Sequence, residues 1–189
     1  MEINLKALKS LDAGVVEKVL EVAELLKMLE VTDGKVRGFE VVDEGFMEYK
    51  DVETKLPYKG SEKAAAFDFF SKEDVVLKVG EQHKFVTDIK AYMLDDEVLS
   101  IHPRSGHGTK YRIMIANTTG IIDTDYYENE TTGGNIAITL YNNGTEDYHI
   151  QSGERMAQAI FSKKLDADEG AYSGGDKKRV GGHGMSGKF

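Results

Sequence analysis

"EVLSIHPRSGHGTKYRIMIAN", residues 97–117, decides the fold class. EVLSIH and RIMIAN are apolar runs of strand length, and a turn rich in Pro, Ser and Gly separates them. The same pattern extends outward from this stretch with a period near two. KVRGFEVVDEG, AAAFDFF, DVVLKVG and KFVTDIKAYML precede it, and NIAITLYNNG, DYHIQSG and RMAQAIF follow. Clusters of Gly, Asn, Asp and Ser punctuate the runs, with no helical pattern between them. Many short strands of this kind imply an all-β sandwich or barrel with antiparallel strands, here over residues 35–165.

Both ends of the chain read differently. In SLDAGVVEKVLEVAELLKMLEVTDG, Val15, Val19, Val22, Leu26 and Leu29 recur in steps of four and three, which is one helix face. Asp12 stands at the N-cap, and TDG at Thr32–Gly34 is a stop. Residues 1–34 are therefore expected to form a helical extension, with a helix from about Ala13 to Val31. That helix packs on the β domain or, since its spacing suits heptads, pairs with another chain. The last segment, residues 166–189, holds seven glycines in 24 residues and few apolar groups, the composition of a flexible arm.

The 189 residues suffice for one domain with a core plus appendages. No apolar run approaches the roughly 20 residues of a membrane span. There is no cysteine, so disulfides and thiolate metal sites are excluded. With no signal-peptide pattern in MEINLKALKS, the expected location is the cytoplasm, or the host's cytoplasm for a viral protein. A net charge of −9 argues against direct nucleic-acid binding.

Four stretches carry candidate chemistry. In PRSGHG, Gly106 and Gly108 let backbone N–H groups approach an anion, Arg104 offers a fork of donors and Ser105 a hydroxyl. A plain β-turn explains the Pro and the glycines but gives no reason for the Arg-Ser pair. In NTTGIIDTDYY, Ile121 and Ile122 deliver Asp123 to a strand end, where it can orient a water or simply cap a turn. In SGERMAQAIF, Met156, Ala159 and Phe161 read as core, while Arg155 and Gln158 need partners. The tail KKRVGGHGMSG joins cations to glycines, a composition that suits phosphate or a mobile basic tail.

In this order the pieces resemble the trimeric dUTPase family. That family runs A-G-x-D, P-R-S-G-x-G, G-x-I-D-x-D-Y, G-E-R-x-A-Q and a glycine-rich arm; this chain has AAFD (65–68), PRSGHG (103–108), GIIDTDY (120–126), GERMAQ (153–158) and GGHGMSG (181–187). The resemblance covers about Leu56 to Phe189. It implies a jelly-roll-like β domain in a homotrimer that hydrolyses dUTP to dUMP and pyrophosphate with Mg2+, keeping uracil out of DNA. Each active site would draw on three subunits. Asp123 would orient the attacking water, Arg104, Ser105, Gly106 and Gln158 would hold phosphates, and Asp68 would meet the metal through water. Backbone groups of a hairpin from about Asn117 to Tyr126, Asn117 and Gly120 among them, would read uracil, and Tyr126 would pack under the deoxyribose. Lys178, Arg179, His183, Gly184 and Ser186 would belong to the closing arm.

The chain departs from the family pattern at several points. Ala66 and Arg112 stand where the family has glycine. YENETTG, residues 127–133, lengthens the loop after Tyr126 and is expected to be charged and exposed. His183 replaces the phenylalanine that stacks on uracil. The related dCTP deaminase needs a glutamate in an L-E-x-x-N context, and Thr139 in IAITLYNNG lies at that place, which argues against deamination. The other alternative is a weakly catalytic binding or regulatory trimer, with the N-terminal helix or the added loop meeting a further partner.

Overall fold

The computed structural model describes residues 12, 14–22 and 35–167. The chain divides into two compact units, Met1–Val36 and Arg37–Phe189. In the first, residues 14–22 form a helix. Asp12 starts it: its Oδ1 accepts the N–H of Gly14 at 2.9 Å, and its carbonyl accepts those of Val15 and Val16 at 3.0 Å each. This is the capping role expected from the sequence. Val15, Leu20 and Val22 are about half exposed. The rest of the expected helix, Ala13 and residues 23–31, lies outside the described residues. Among the described residues, no helix is long and apolar enough to cross a membrane.

The second unit is a β sandwich. In chain order its strands are β1 (Gly38–Val41), β2 (Tyr58–Lys59), β3 (Phe67–Phe70), β4 (Val75–Leu77), β5 (Gln82–Val86) and β6 (Ile89–Tyr92). Then come β7 (Glu97–Pro103), β8 (Ile113–Ile115), β9 (Gly120–Ile122), β10 (Ala137–Asn142), β11 (Tyr148–Ile150) and β12 (Arg155–Lys163). A five-stranded sheet in the order β2-β3-β12-β7-β9 faces a three-stranded sheet β5-β10-β8, and the pairs β1-β6 and β11-β4 complete the walls. Every pairing is antiparallel.

The strand period of two sets both the core and the site. Ala157 and Ala159 of β12 pair with Phe69 and Phe67 of β3, and Ala159 also faces Ile101 of β7. Ala157, Ala159, Phe69 and Ile101 belong to one buried cluster with Phe85, Ile113, Ile115, Ile138 and Leu140 from the other sheet. Each large side chain so buried contributes about 1.5–3 kcal/mol. Gln158, between the two alanines, points the opposite way, and its partners across the ladder are Asp68 and His102. One row of the sheet's outer face is thus polar because its neighbours are core.

Three sequence expectations are corrected. KFVTDIKAYML is two strands, because Asp88 takes a left-handed conformation (φ 56°) and turns the chain from β5, paired with β10, into β6, paired with β1. Residues 117–126 are not a hairpin: β8 pairs with β10 and β9 with β7, so Asn117–Thr119 is a corner between sheets. The YENETTG loop is not merely exposed. Asn129 is buried, its Oδ1 accepts the N–H groups of Thr131 and Thr132, and its Nδ2 donates to Tyr126 O. Only Glu128, Glu130 and Thr131 of the loop face solvent, and Glu128 pairs with the buried Lys90 at 2.7 Å.

The loop is held by the segment before β2. Phe46 packs against Gly133, Asn135 Nδ2 donates to Phe46 O, and Tyr127 OH donates to Glu40 Oε2 at 2.6 Å. That bond and burial push the Tyr127 hydroxyl well above its ordinary value. Beneath lies an ion pair that sequence reasoning missed. Lys72 Nζ meets Asp88 Oδ2 at 2.7 Å, and both side chains are buried. Asp88 also accepts the N–H groups of Glu48 and Tyr49 and the amide of Asn135. A lone aspartate inside an apolar run was the available signal, since a buried charge requires a partner.

Candidate active site

Asp68, Arg104, Ser105 and Gln158 line one cleft of about 380 Å³, together with Gly60, Ser61 and Ala64–Ala66. β3 supplies Asp68, β12 supplies Gln158, and the turn that leaves β7 supplies Arg104 and Ser105. Arg104 Nε lies 3.2 Å from Asp68 Oδ1, and Arg155 Nη1 lies 3.3 Å from Asp68 Oδ2. One carboxylate therefore holds two guanidinium groups at the cleft. Gln158 Nε2 donates to Pro103 O at 3.0 Å, which fixes the start of the turn to β12. Arg155, read from sequence as needing a partner, finds it in Asp68.

The turn itself is compact. Gly108 N–H donates to Arg104 O at 2.9 Å, and Thr109 Oγ1 donates to Ser105 O at 2.6 Å. A wide helical turn, His107–Tyr111, follows and ends at Arg112 with φ 57°. That left-handed conformation is the one glycine favours, which accounts for the family's glycine there. Gly106 has an ordinary helical backbone (φ −61°), and a Cβ on it would meet nothing within 4 Å. Its value is open space beside Ser105 rather than conformational freedom. Ala66 is not among the described residues with positive φ, so its methyl group causes no backbone strain.

Asp123 lies elsewhere. It follows β9 and begins the helical turn Thr124–Tyr126, but its carboxylate makes no capping bond to that turn. Gly120 pairs with Ile101 and approaches it so closely that a Cβ would lie 3.1 Å from the Ile101 Cβ. Asn117 is exposed at the corner. Tyr126 is 5 % exposed, and its hydroxyl donates to Asn135 O at 2.8 Å. In the single chain, then, Asp68, Arg104, Ser105 and Gln158 come together, with Gly106 beside them, whereas Asn117, Gly120, Asp123 and Tyr126 form a second group at the β9 end. Lys178, Arg179, His183, Gly184 and Ser186 lie outside the described residues.

A cleft with clustered guanidinium groups, a hydroxyl and an amide suits a polyphosphate. Among the described residues, no group of three or more His, Cys, Asp or Glu could hold a metal ion. A divalent cation in the cleft would have Asp68 as its only carboxylate there, which fits contact through water to an ion carried by phosphates.

The sequence model of the dUTPase family matches residues 52–187. A deoxyuridine 5'-triphosphate nucleotidohydrolase of Lactococcus lactis is 35% identical over 153 residues, which cover 81% of this chain and 99% of that protein. One from Nautilia profundicola is 33% identical over 138 residues, 72% of this chain and 93% of the relative. Among solved structures, the dUTPase of Streptococcus mutans aligns with a TM-score of 0.60 and 30% identity over 70% of this chain and 99% of its own. A dUTPase from phage phi11 of S. aureus shares the fold, with a TM-score of 0.58 at 20% identity. Fold, ordered motifs and relatives agree, and the chain belongs to the dUTPase family.

Proposed function

We propose that this chain hydrolyses dUTP to dUMP and pyrophosphate at sites shared between the subunits of a homotrimer. The carrying observation is the split of the site along one strand. The cleft with Arg104 and Ser105 sits just past Pro103, whereas Asp123 follows Ile122, which pairs with Leu99. Leu99 to Pro103 is four extended residues, about 13 Å at 3.3 Å per residue, before the chain leaves the strand for the turn that holds Ser105. That separation supports a reading in which Asp123 serves the cleft of a neighbouring copy rather than that of its own chain. The family's jelly-roll trimer provides that arrangement.

Within the completed site, Arg104 and Ser105 grip the phosphate chain and Gln158 reaches it beside them. Asp123 accepts the water's hydrogen bond and aims the oxygen in line at the α-phosphorus. Positioning and charge neutralisation carry most of such a reaction. Asp68 would hold Mg2+ through water, and the ion would supply further neutralisation of phosphate charge. The backbone from Asn117 to Gly120 matches the donor and acceptor edge of uracil, and a cytosine edge would leave buried groups unpaired. Tyr126 forms the floor that excludes a ribose 2′-hydroxyl. The arm residues Lys178, Arg179, His183, Gly184 and Ser186 close over the nucleotide. The absence of a carboxylate at Thr139 favours hydrolysis over deamination.

The test is pyrophosphate release from dUTP, dCTP, dTTP and UTP, using the whole chain and Asp123→Asn. Release from dUTP alone, slowed by about 10²–10⁴ in the variant, is the expected result. Mixing Asp123→Asn with Ser105→Ala subunits should restore part of the activity, because a mixed trimer contains one intact composite site. Release that survives Asp123→Asn, or no recovery on mixing, would overturn the reading.

A further inference from the structure

The turn bearing Arg104 and Ser105 has three fasteners to β12 and β3. Arg104 Nη1 donates to Arg155 O at 3.3 Å and its Nε meets Asp68; Gln158 donates to Pro103 O; His107 Nδ1 lies 3.2 Å from Met156 O. The first two belong to side chains that line the cleft. On the function proposed above, a triphosphate draws both toward itself and loosens their hold on the turn. His107 does not line the cleft and is 4 % exposed, so its tie persists when the ligand arrives.

We propose that His107 is the positioning residue of the phosphate turn, its Nδ1–H bond to the Met156 carbonyl holding Arg104 and Ser105 in place while they grip the ligand. The ring is packed for that task. Tyr148 meets it edge-on at 5.3 Å between centroids, and Nε2 lies 3.5 Å from Glu154 Oε1. A carbonyl only accepts, so the proton must be on Nδ1. Burial lowers the ring's pKa; the Met156 carbonyl and the Glu154 charge oppose this, the Arg104 charge assists it, and the net shift is downward. The Nδ1 donor is thus committed to β12.

Side-chain geometry gives a discriminating test. An asparagine amide places its N–H₂ near the Nδ1 position, a glutamine amide places its own near Nε2, and a leucine offers neither. Affinity for inorganic pyrophosphate is measured by calorimetry at pH 7.5 with His107→Asn, His107→Gln and His107→Leu, alongside thermal unfolding of each. The expected pattern is near-wild-type affinity in His107→Asn and a loss of about tenfold, that is ~1.4 kcal/mol, in His107→Gln and His107→Leu. A purely packing role would instead rank the variants by unfolding temperature. Wild-type affinity in a folded His107→Leu or His107→Gln would overturn the positioning role, as would a tenfold loss in His107→Asn. Should His107→Leu not fold, the two amides decide alone. Failure of the wild-type protein to bind pyrophosphate would overturn the phosphate reading of the cleft, and this inference with it.

Discussion

Replacing Lys72 by Met removes one charge from a wholly buried pair and keeps the length of its stem. Asp88 is 0 % exposed, and Lys72 Nζ lies 2.7 Å from its Oδ2. Burial works against the carboxylate, but bonds from Lys72, from the Glu48 and Tyr49 N–H groups and from Asn135 outweigh it, and its pKa lies below the ordinary value. In the native protein this group therefore contributes stability that is present above the unfolded pKa near 3.9 and lost as pH falls through the folded one. Without Lys72 the carboxylate is left without its cation, at a cost of about 3–5 kcal/mol near pH 7. At 2–4 °C per kcal/mol for a chain of this size, the melting temperature should fall by roughly 6–20 °C. The sign with pH then reverses. In the variant the folded pKa of Asp88 rises above the unfolded one, so the penalty is full at neutral pH and shrinks as acid neutralises the group. Urea unfolding of both proteins at one subunit concentration, at pH 7.5 and 4.5, should show the gap narrowing by about 1 kcal/mol or more for each unit of that rise. A gap under ~1 kcal/mol at pH 7.5, or one that does not change with pH, would refute the reasoning.

Gly134→Ala places a methyl group 2.9 Å from Glu128 N and 3.1 Å from Tyr126 O, at φ 81°. Left-handed backbone alone costs about 1–2 kcal/mol. With backbone atoms in the way, a loss of about 2 kcal/mol or more in unfolding free energy is expected, and weaker discrimination between dUTP and UTP should accompany it. Arg104→Lys keeps the charge but loses the guanidinium fork that spans Asp68 and Arg155 O. Steady-state kinetics should show KM for dUTP raised about tenfold or more, with unfolding temperature little changed.

What was legible in the sequence follows from what kind of interaction fixes each feature. EVLSIH, RIMIAN and RMAQAIF are strands because their inner faces are core, and alternation reports burial directly. Part of the cleft was legible for a related reason: Gln158 is a polar residue inside an otherwise apolar strand and must have a use, whereas Asp68 came only with the family resemblance. Asp88 obeys the same rule, yet its partner Lys72 lies 16 residues away in a loop, and no local pattern connects them. The hairpin expected around the Asn117–Thr119 corner came with the resemblance, and nothing local opposed it, since two apolar runs joined by a short turn look alike whether the strands pair with each other or with different sheets. The added loop was misread because its composition is charged. What orders it is one asparagine, Asn129, folding three nearby backbone groups around its amide, and composition does not report that geometry.

The distribution of these features carries one more consequence. The phosphate cleft and Asp123 sit at opposite ends of β7, a strand held on both sides by β12 and β9. A sheet of that kind is stiff along the strand, so the chain cannot adjust one half of the site to the other; on the proposed reading, subunit packing sets their separation. The loop added after Tyr126 lies at the Asp123 end. There the segment 43–49 and the loop 127–133 converge on Asn135, which accepts the Tyr126 hydroxyl and binds Asp88 through its amide. At the cleft end lie the short fasteners of the PRSGHG turn. Errors in the two halves should therefore look different. Damage to the Asn135 network should appear first as lost stability and relaxed sugar selection, because Tyr126 is carried by it. Damage at His107 or Arg104 should appear first as lost phosphate affinity in a fold that remains intact.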